Sequence, residues 1–220
     1  MATTVHEPPK LERLPGHGGG NWHNVPPAGG DLLRVKESSP PPASTGIWVA
    51  LASIAMTFAA LTSALIVRQG SSNDWHHFTL PPVLYLNSMI IVASSATLEV
   101  AKKRINAFMS ASKTQQGAPA TQLYATFCLG LLFVAGQTYA WLQLKAQGFG
   151  LASNVSYSFF YVLTVAHAIH VLGGLGGLVR VIGKLNRATL KRSTLNATSL
   201  YWHFMGVLWL YLLLLLWMKL

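Results

Sequence analysis

The sequence predicts an all-α fold: an integral membrane bundle of five transmembrane helices that follows a disordered N-terminal arm. Of the 220 residues, 51% are hydrophobic and only 10% are charged, and the apolar residues are collected into five long runs. A soluble domain has about 25% charged residues, whereas a helix of roughly 20 apolar residues crosses a hydrocarbon core about 30 Å thick. Each run is expected to be helical, because lipid cannot hydrogen-bond the backbone groups of an open strand.

The five predicted spans occupy most of the chain after residue 45. They cover residues 46–67, 82–101, 120–143, 157–180 and 197–218. Pro81 and Pro82 stand at the start of the second span, where proline costs a helix no hydrogen bond. Aromatic side chains near the span ends, among them Trp48 and Trp217, are typical of the two membrane interfaces.

The first 45 residues are predicted to form a flexible cytoplasmic arm. They contain eight of the eleven prolines and the glycine-rich run GHGGG at 16–20. A segment of this composition cannot bury enough apolar surface to fold. The predicted domains are therefore the arm, 1–45, and a five-helix membrane domain, 46–220.

The formal net charge of +10 is distributed unevenly along the chain. With five crossings, thirteen lysines and arginines fall on one side of the membrane and three on the other; the thirteen lie in the arm and in the connections after the second and fourth spans. The positive-inside rule then places the N-terminus in the cytoplasm and the C-terminus outside. Because membrane orientation explains the excess of lysine and arginine, we expect no nucleic-acid partner.

Two histidines interrupt the fourth span, in the run YVLTVAHAIHVLGG at 161–174. His167 and His170 are three residues apart and share one helix face. Haem needs axial ligands on opposite sides of its ring, and zinc or copper needs at least one more ligand, for which His203 in the fifth span is the candidate. We expect polar packing instead, with neutral imidazoles that hydrogen-bond neighbouring helices. A triad of the three histidines is the alternative.

Other residues in the spans are expected to serve packing rather than catalysis. Gly173 and Gly177 form a small-xxx-small face, which lets another helix or a lipid chain approach closely. Glu99 lies at the cytoplasmic end of the second span, where pairing with Lys102 or Lys103 is expected. The sequence contains no nucleotide-binding loop, nucleophile elbow or zinc-protease helix. We therefore expect no catalytic residue, metal or cofactor site in this chain.

Four of the five spans contain recognisable motifs. The fifth reads SLYWHFMGVLWLYLLLLLW, and the fourth contains FFYVLTVAHAIHVLGGL. The second reads LPPVLYLNSMIIVASSATLEVAKK, and the first reads GIWVALASIAMTFAALTSALIVR. Together, and in this order, they resemble the helices of subunit III of the haem-copper (cytochrome c) oxidases in its five-helix bacterial form. The resemblance covers residues 46–218.

The resemblance implies a non-redox companion subunit in a bacterial cytoplasmic membrane. Haem and copper belong to the partner subunits I and II, which take electrons from cytochrome c or quinol and reduce oxygen to water. Subunit III supports the catalytic subunit and its proton uptake, and it encloses bound phospholipid. The resemblance further implies a V-shaped arrangement of the helices. Spans one and two form one side of the V, spans three to five form the other, and lipid occupies the gap.

The candidate site residues are those expected to contact lipid or a neighbouring helix. Cations and amphipathic rings suit the depth of the lipid headgroups, and intramembrane imidazoles and glycines suit helix packing. The candidates are Arg68, Trp75, His76, His167, His170, Gly173, Gly177, Tyr201, Trp202 and His203.

Three positions depart from the family pattern. Ile54 stands where the family usually has a glutamate, and Gly206 stands where it usually has an aspartate. In the third span, the motif reads GQTYAWL, with Ala140 at the position that is usually acidic. Any proton-handling or polar role of those carboxylates is not carried over to this chain.

The sequence leaves two other functions open. An accessory protein of a nitric oxide reductase would share these helices and serve another enzyme of the superfamily. A small transporter is disfavoured, because the sequence shows neither an internal repeat nor a pair of interrupted spans. The chain is not expected to be the redox subunit itself, which needs about six ligand histidines spread over several helices.

Overall fold

Five long helices dominate the part of the chain that the computed structural model describes, residues 42–71, 81–110, 120–148 and 155–219. In chain order they are α1 (Pro42–Ser71), α2 (Val83–Ser110), α3 (Thr121–Ala146), α4 (Val155–Asn186) and α5 (Arg192–Lys219). Each is long and apolar enough to cross a membrane. The predicted all-α fold of five spans is confirmed, and those ranges contain no strand. The predicted arm lies outside them, except for its last four residues, which begin α1.

Each helix extends beyond the apolar run that predicted it at one end or at both. α2 does not end at residue 101, so Lys102, Lys103 and Arg104, which we expected in a connection, are helical. Lysine and arginine are good helix formers, and a continued helix keeps the backbone groups paired as the chain leaves the hydrocarbon. Hydrophobicity therefore located the spans correctly but underestimated the lengths of the helices.

The helices pair differently from the V that the resemblance implied. Within the described ranges, α1 packs against α5 and touches α4, but it does not pack against α2 or α3. α2 packs most extensively against α3 and also against α5, and α4 packs against both α3 and α5. The prediction that spans one and two form one side of a V is therefore wrong, because α5 lies between α1 and α2.

Small residues let α2 and α3 approach closely. A Cβ atom at Gly136 would fall on the side-chain amide of Asn87, whose Nδ2 donates to the Phe133 carbonyl at 3.3 Å. Further along α2, the Ser94 hydroxyl donates to the Thr126 carbonyl at 3.2 Å. Helices in lipid associate through close packing and interhelical hydrogen bonds, since hydrocarbon is as apolar as leucine. This helix pair uses both.

A tight turn connects α4 to α5. Ala188 adopts the left-handed conformation with a φ of 55°, and its amide donates to the Leu185 carbonyl at 3.0 Å. The Thr189 amide donates to the Lys184 carbonyl at 2.9 Å. These two bonds form a Schellman motif, which satisfies carbonyls at a helix end. The short turn makes α4 and α5 antiparallel neighbours, which brings Tyr201 of α5 next to His170 of α4.

Large apolar side chains line both the interior and the exterior of the bundle. Trp202, Trp209 and Phe133 are completely buried, whereas Trp48 and Ile169 are 62% and 61% exposed. In hydrocarbon an outward-facing apolar side chain needs no protein partner, because lipid solvates it. The exterior is therefore suited to a membrane rather than to water.

Candidate functional site

His167 lies inside the bundle, among aromatic rings from three other helices. Its side chain is fully buried. The ring centroids of Trp209 (α5), Phe133 (α3) and Phe58 (α1) lie 5.2, 5.9 and 6.4 Å from its own. Neither ring nitrogen has a hydrogen-bond partner among the described residues. The hydrogen bond that we expected from this imidazole to a neighbouring helix is not formed, and ring packing takes its place.

His170 turns back onto its own helix. Its Nδ1 lies 2.7 Å from the carbonyl oxygen of Ala166, one turn earlier, and its ring packs edge-on against Phe58 with the centroids 5.7 Å apart. The backbone carbonyl of His170 accepts a hydrogen bond of 2.9 Å from the Tyr201 hydroxyl. The polar contact between α4 and α5 is therefore made by the hydroxyl of Tyr201 and not by an imidazole.

Tyr201→Phe is expected to weaken the contact between α4 and α5 by about 0.6 kcal/mol, the average for an interhelical hydrogen bond in a membrane protein. The substitution removes only the hydroxyl that bonds the His170 carbonyl. The free energy of unfolding in mixed detergent micelles, followed by circular dichroism, measures the loss. Tyr139→Phe is the control, because this tyrosine is 59% exposed. Equal stability of the two variants would contradict the assignment.

His203 belongs to a different group of polar side chains. Its Nε2 lies 3.5 Å from a carboxylate oxygen of Glu99 on α2, and Nζ of Lys102 lies 3.7 Å from the same oxygen. The predicted pairing of Glu99 with Lys102 is confirmed, and His203 connects α5 to that pair. In the part of the chain that the structure describes, no three His, Cys, Asp or Glu side chains form a group that could hold a metal ion. A triad of the three histidines is therefore not assembled there.

Trp202 lies in the interior of the bundle and not at headgroup depth on its surface. Its Nε1 donates to the Ser94 hydroxyl of α2 at 3.1 Å. Its ring lies between Gly130 of α3 and Gly174 of α4, where added Cβ atoms would approach ring carbons to 2.7 and 3.0 Å. One side chain of α5 thus contacts three other helices and passes two glycines where an added Cβ atom would be crowded.

Trp209 repeats this arrangement seven residues further along α5. Its Nε1 donates to the Ser88 hydroxyl at 2.9 Å, and its ring meets that of Phe133 edge-on with the centroids 5.0 Å apart. A buried indole N–H needs an acceptor, and the serines of α2 supply it. Ser88, Ser94 and Trp209 were not among the predicted site residues. A matching spacing in the sequence could have indicated them: α2 has two serines six residues apart, and α5 has two tryptophans seven residues apart.

An apolar groove of about 280 Å³ runs beside the glycines of α4. Its lining comes from three helices: Ile47 of α1, Gly173, Gly174 and Gly177 of α4, and Ala197, Thr198 and Tyr201 of α5. An added Cβ atom would lie 3.5 Å from Tyr201 at Gly173 and 3.4 Å from Thr198 at Gly177, which are ordinary contacts. The tightest glycine of this face is Gly174, which the small-xxx-small pattern did not single out.

Arg68, the remaining candidate that the structure describes, lies at the other end of the bundle. Arg68 is exposed in the last turn of α1. Beside it, Nε2 of Gln69 donates to the Lys219 carbonyl at 3.2 Å, which connects the ends of α1 and α5. Trp75 and His76 lie outside the described residues, so their headgroup contacts stay predictions.

Comparison with known proteins identifies relatives along almost the whole membrane domain. The family model described as cytochrome c oxidase subunit III matches residues 47–219. Cytochrome c oxidase subunit 3 of Thermostichus vulcanus is 28% identical over 174 residues, covering 76% of this chain and 82% of the relative. The probable cytochrome c oxidase subunit 3 of Nocardia farcinica is 29% identical over 178 residues, covering 76% and 83%. Cytochrome bo(3) ubiquinol oxidase subunit 3 of Pseudomonas aeruginosa is 29% identical over 172 residues, covering 75% and 79%.

Five helices that are each long and apolar enough to cross a membrane define the class of the protein as a multi-pass helical membrane protein. The match over residues 47–219 makes the class specific. The chain belongs to the cytochrome c oxidase subunit III family, the non-catalytic third subunit of the haem-copper oxidases. The family that the motifs predicted is confirmed.

Proposed function

We propose that this chain is subunit III of a bacterial respiratory oxidase that reduces oxygen to water, and that it supports the catalytic subunit and its proton uptake without a redox centre of its own. The observation that carries this proposal is the family match, which extends from residue 47 to residue 219. In this proposal haem and copper belong to subunits I and II. The electron donor is cytochrome c or quinol, since relatives bear both names.

The geometry of the histidines supports a structural role. Nδ1 of His170 is occupied by a carbonyl of its own helix, and Nε2 of His203 faces Glu99 on α2. Three aromatic rings pack around the imidazole of His167. His167 and His170 both pack against Phe58, whereas His203 faces the ion pair of Glu99 with Lys102.

The basic residues support an orientation with the N-terminus in the cytoplasm and the C-terminus outside a bacterial cytoplasmic membrane. Lys102 and Lys103 lie towards the end of α2, and Arg192 begins α5. These ends are close together, because a guanidinium nitrogen of Arg192 donates to the Ser110 hydroxyl at 2.6 Å. The positive-inside rule assigns this basic end of the bundle to the cytoplasm.

The groove beside the glycines of α4 supports phospholipid binding. Glycine gives it a surface without side chains, and most of its remaining lining is apolar. An acyl chain can lie against such a surface and gain dispersion contacts along its length. We assign the groove to one acyl chain of a bound phospholipid, with Gly173 and Gly177 as its floor.

Gly177→Leu is expected to lower the amount of phospholipid that stays with the purified complex, because a leucine side chain fills the groove. Mass spectrometry of lipids extracted after detergent washing measures this amount. Gly176→Leu is the matched control, since position 176 is the preceding residue of α4 and has no atom within 4 Å of an added Cβ. Equal lipid content in the two variants would exclude the groove as the lipid site.

Isolation of the protein from native membranes tests the proposed function. The complex is extracted in mild detergent, its companions are identified by mass spectrometry, and haem absorption is recorded before and after the partners are stripped away. We expect subunits I and II as companions and no haem absorption from the stripped chain. Haem that stays with this polypeptide, or nitric oxide reductase subunits as its companions, would overturn the proposal.

A further inference from the structure

Two polar side chains are enclosed in the bundle without any hydrogen bond to the described residues. His167 and Gln137 are 0% and 1% exposed. Both ring nitrogens of His167 and both polar atoms of the Gln137 amide lack a partner there. Histidine offers a donor and an acceptor when it is neutral, and glutamine offers two donors and an acceptor oxygen. The packing of the helices supplies none of these donors and acceptors with a partner among the described residues.

Helix register places the two side chains at the same level of the bundle. Phe133 and Trp141 lie four residues before and after Gln137, so all three share one face of α3. Phe133 contacts the ring of His167, and Nε1 of Trp141 donates to the Thr164 hydroxyl at 3.0 Å. Because α3 and α4 are antiparallel, this register puts Gln137 level with the turn of α4 between Thr164 and His167.

Two neighbouring polar side chains, Thr164 and Trp209, already have other partners, whereas Oδ1 of Asn87, which lies against Gly136, is buried without one among the described residues. The Thr164 hydroxyl accepts from Trp141 and donates to the Phe160 carbonyl at 2.7 Å. The indole N–H of Trp209, whose ring packs on His167, donates to Ser88.

The nearest position on the same face of α3 also offers nothing polar. Ala140, one turn from Gln137, is fully buried and contributes only a methyl group. Burial of an amide or imidazole without a hydrogen bond costs about 2–7 kcal/mol, and hydrocarbon around the bundle offers no alternative partner. Native proteins satisfy such groups with internal water, which typically makes about three hydrogen bonds.

We infer that His167 and Gln137 form a binding site for ordered water inside the bundle, in which water bridges an imidazole nitrogen to the glutamine amide. Phe58, Phe133 and Trp209 enclose the imidazole, so exchange with bulk water is slow on the timescale of side-chain motion. The bridge connects α3 to α4 beside the aromatic layer. It also selects the tautomer of His167, because a water that donates to one nitrogen requires the proton on the other.

A map of the intact assembly from native membranes, at a resolution that shows ordered water, tests this inference directly. We expect a density peak within about 2.7–3.2 Å of both a ring nitrogen of His167 and an amide atom of Gln137. A direct hydrogen bond between the two side chains would overturn the inference. Apolar contact alone, without a peak, would overturn it as well.

Infrared difference spectra of the same assembly in ordinary and oxygen-18 water provide a second readout. We expect an isotope-sensitive O–H band of buried water in the wild type and in His170→Phe, whose ring nitrogen bonds its own helix. The band is expected to disappear in both His167→Phe and Gln137→Met. A band that persists in both variants would contradict the site. The map of the wild type decides the question even if either variant fails to assemble.

Discussion

Trp202→Ala is expected to lower the free energy of unfolding of the bundle by about 3 kcal/mol. The ring is completely buried between Gly130 and Gly174, and its N–H bonds Ser94, so the substitution opens a cavity that touches α2, α3 and α4. Aromatic truncation in a core costs about 3–5 kcal/mol. The lower end applies here, because the ring meets lipid rather than water when the helices separate.

Unfolding of the purified protein by sodium dodecyl sulfate in mixed micelles, followed by circular dichroism, measures this loss. Trp217→Ala is the matched control: the same substitution on the same helix, at a side chain that is 66% exposed. We expect the control to change stability by less than about 0.5 kcal/mol. Similar losses in the two variants would show that Trp202 does not have the central position described above.

Gly130→Ala is expected to destabilise the bundle by about 1–3 kcal/mol, although alanine is the better helix former. A Cβ atom at this position would lie 2.7 Å from a ring carbon of Trp202 and 2.8 Å from a methyl group of Leu175. The indole cannot move aside freely, because Ser94 holds its N–H and Gly174 contacts its ring. α3 must therefore move away from α5.

Gly183→Ala is the control for this substitution, because nothing lies within 4 Å of an added Cβ at that position. The same unfolding assay is expected to show unchanged or slightly higher stability for the control. In the double variant Gly130→Ala, Trp202→Ala, the alanine no longer meets a ring. The double variant is therefore expected to lose less stability than the sum of the two single changes. Strict additivity would argue against the contact.

The three positions at which the resemblance implies carboxylates belong to the packed interior of this protein. Ile54 and Ala140 are 9% and 0% exposed, and an added Cβ at Gly206 would lie 3.2 Å from Oγ of Ser95 on α2. An intramembrane carboxylate needs a partner, because an isolated charge in hydrocarbon is expensive. Residues without a polar side chain remove this requirement. At Gly206 the small residue also lets α2 and α5 approach each other.

The candidate site was predictable in part. The positions of His167 and His170 on one helix and the pairing of Glu99 with Lys102 follow from spacing within one helix. The partners of these residues on other helices could not be predicted from the spacing. His203 meets Glu99 rather than the other histidines, and the hydroxyl of Tyr201 bonds the carbonyl of His170. Spacing along one helix contains no information about which neighbour faces it.

By itself, the sequence determined that this protein has five membrane-spanning helices, roughly where they lie, and to which family they belong. Hydrocarbon requires every spanning backbone to satisfy its own hydrogen bonds, so long apolar runs specify helices without reference to the rest of the chain. Only the tertiary structure decided that α5 separates α1 from α2, and that Trp202 and Trp209 bind serines of α2. Hydrophobicity cannot choose among helix pairs in lipid, since every apolar face is already solvated; shape and hydrogen bonding between distant residues make that choice.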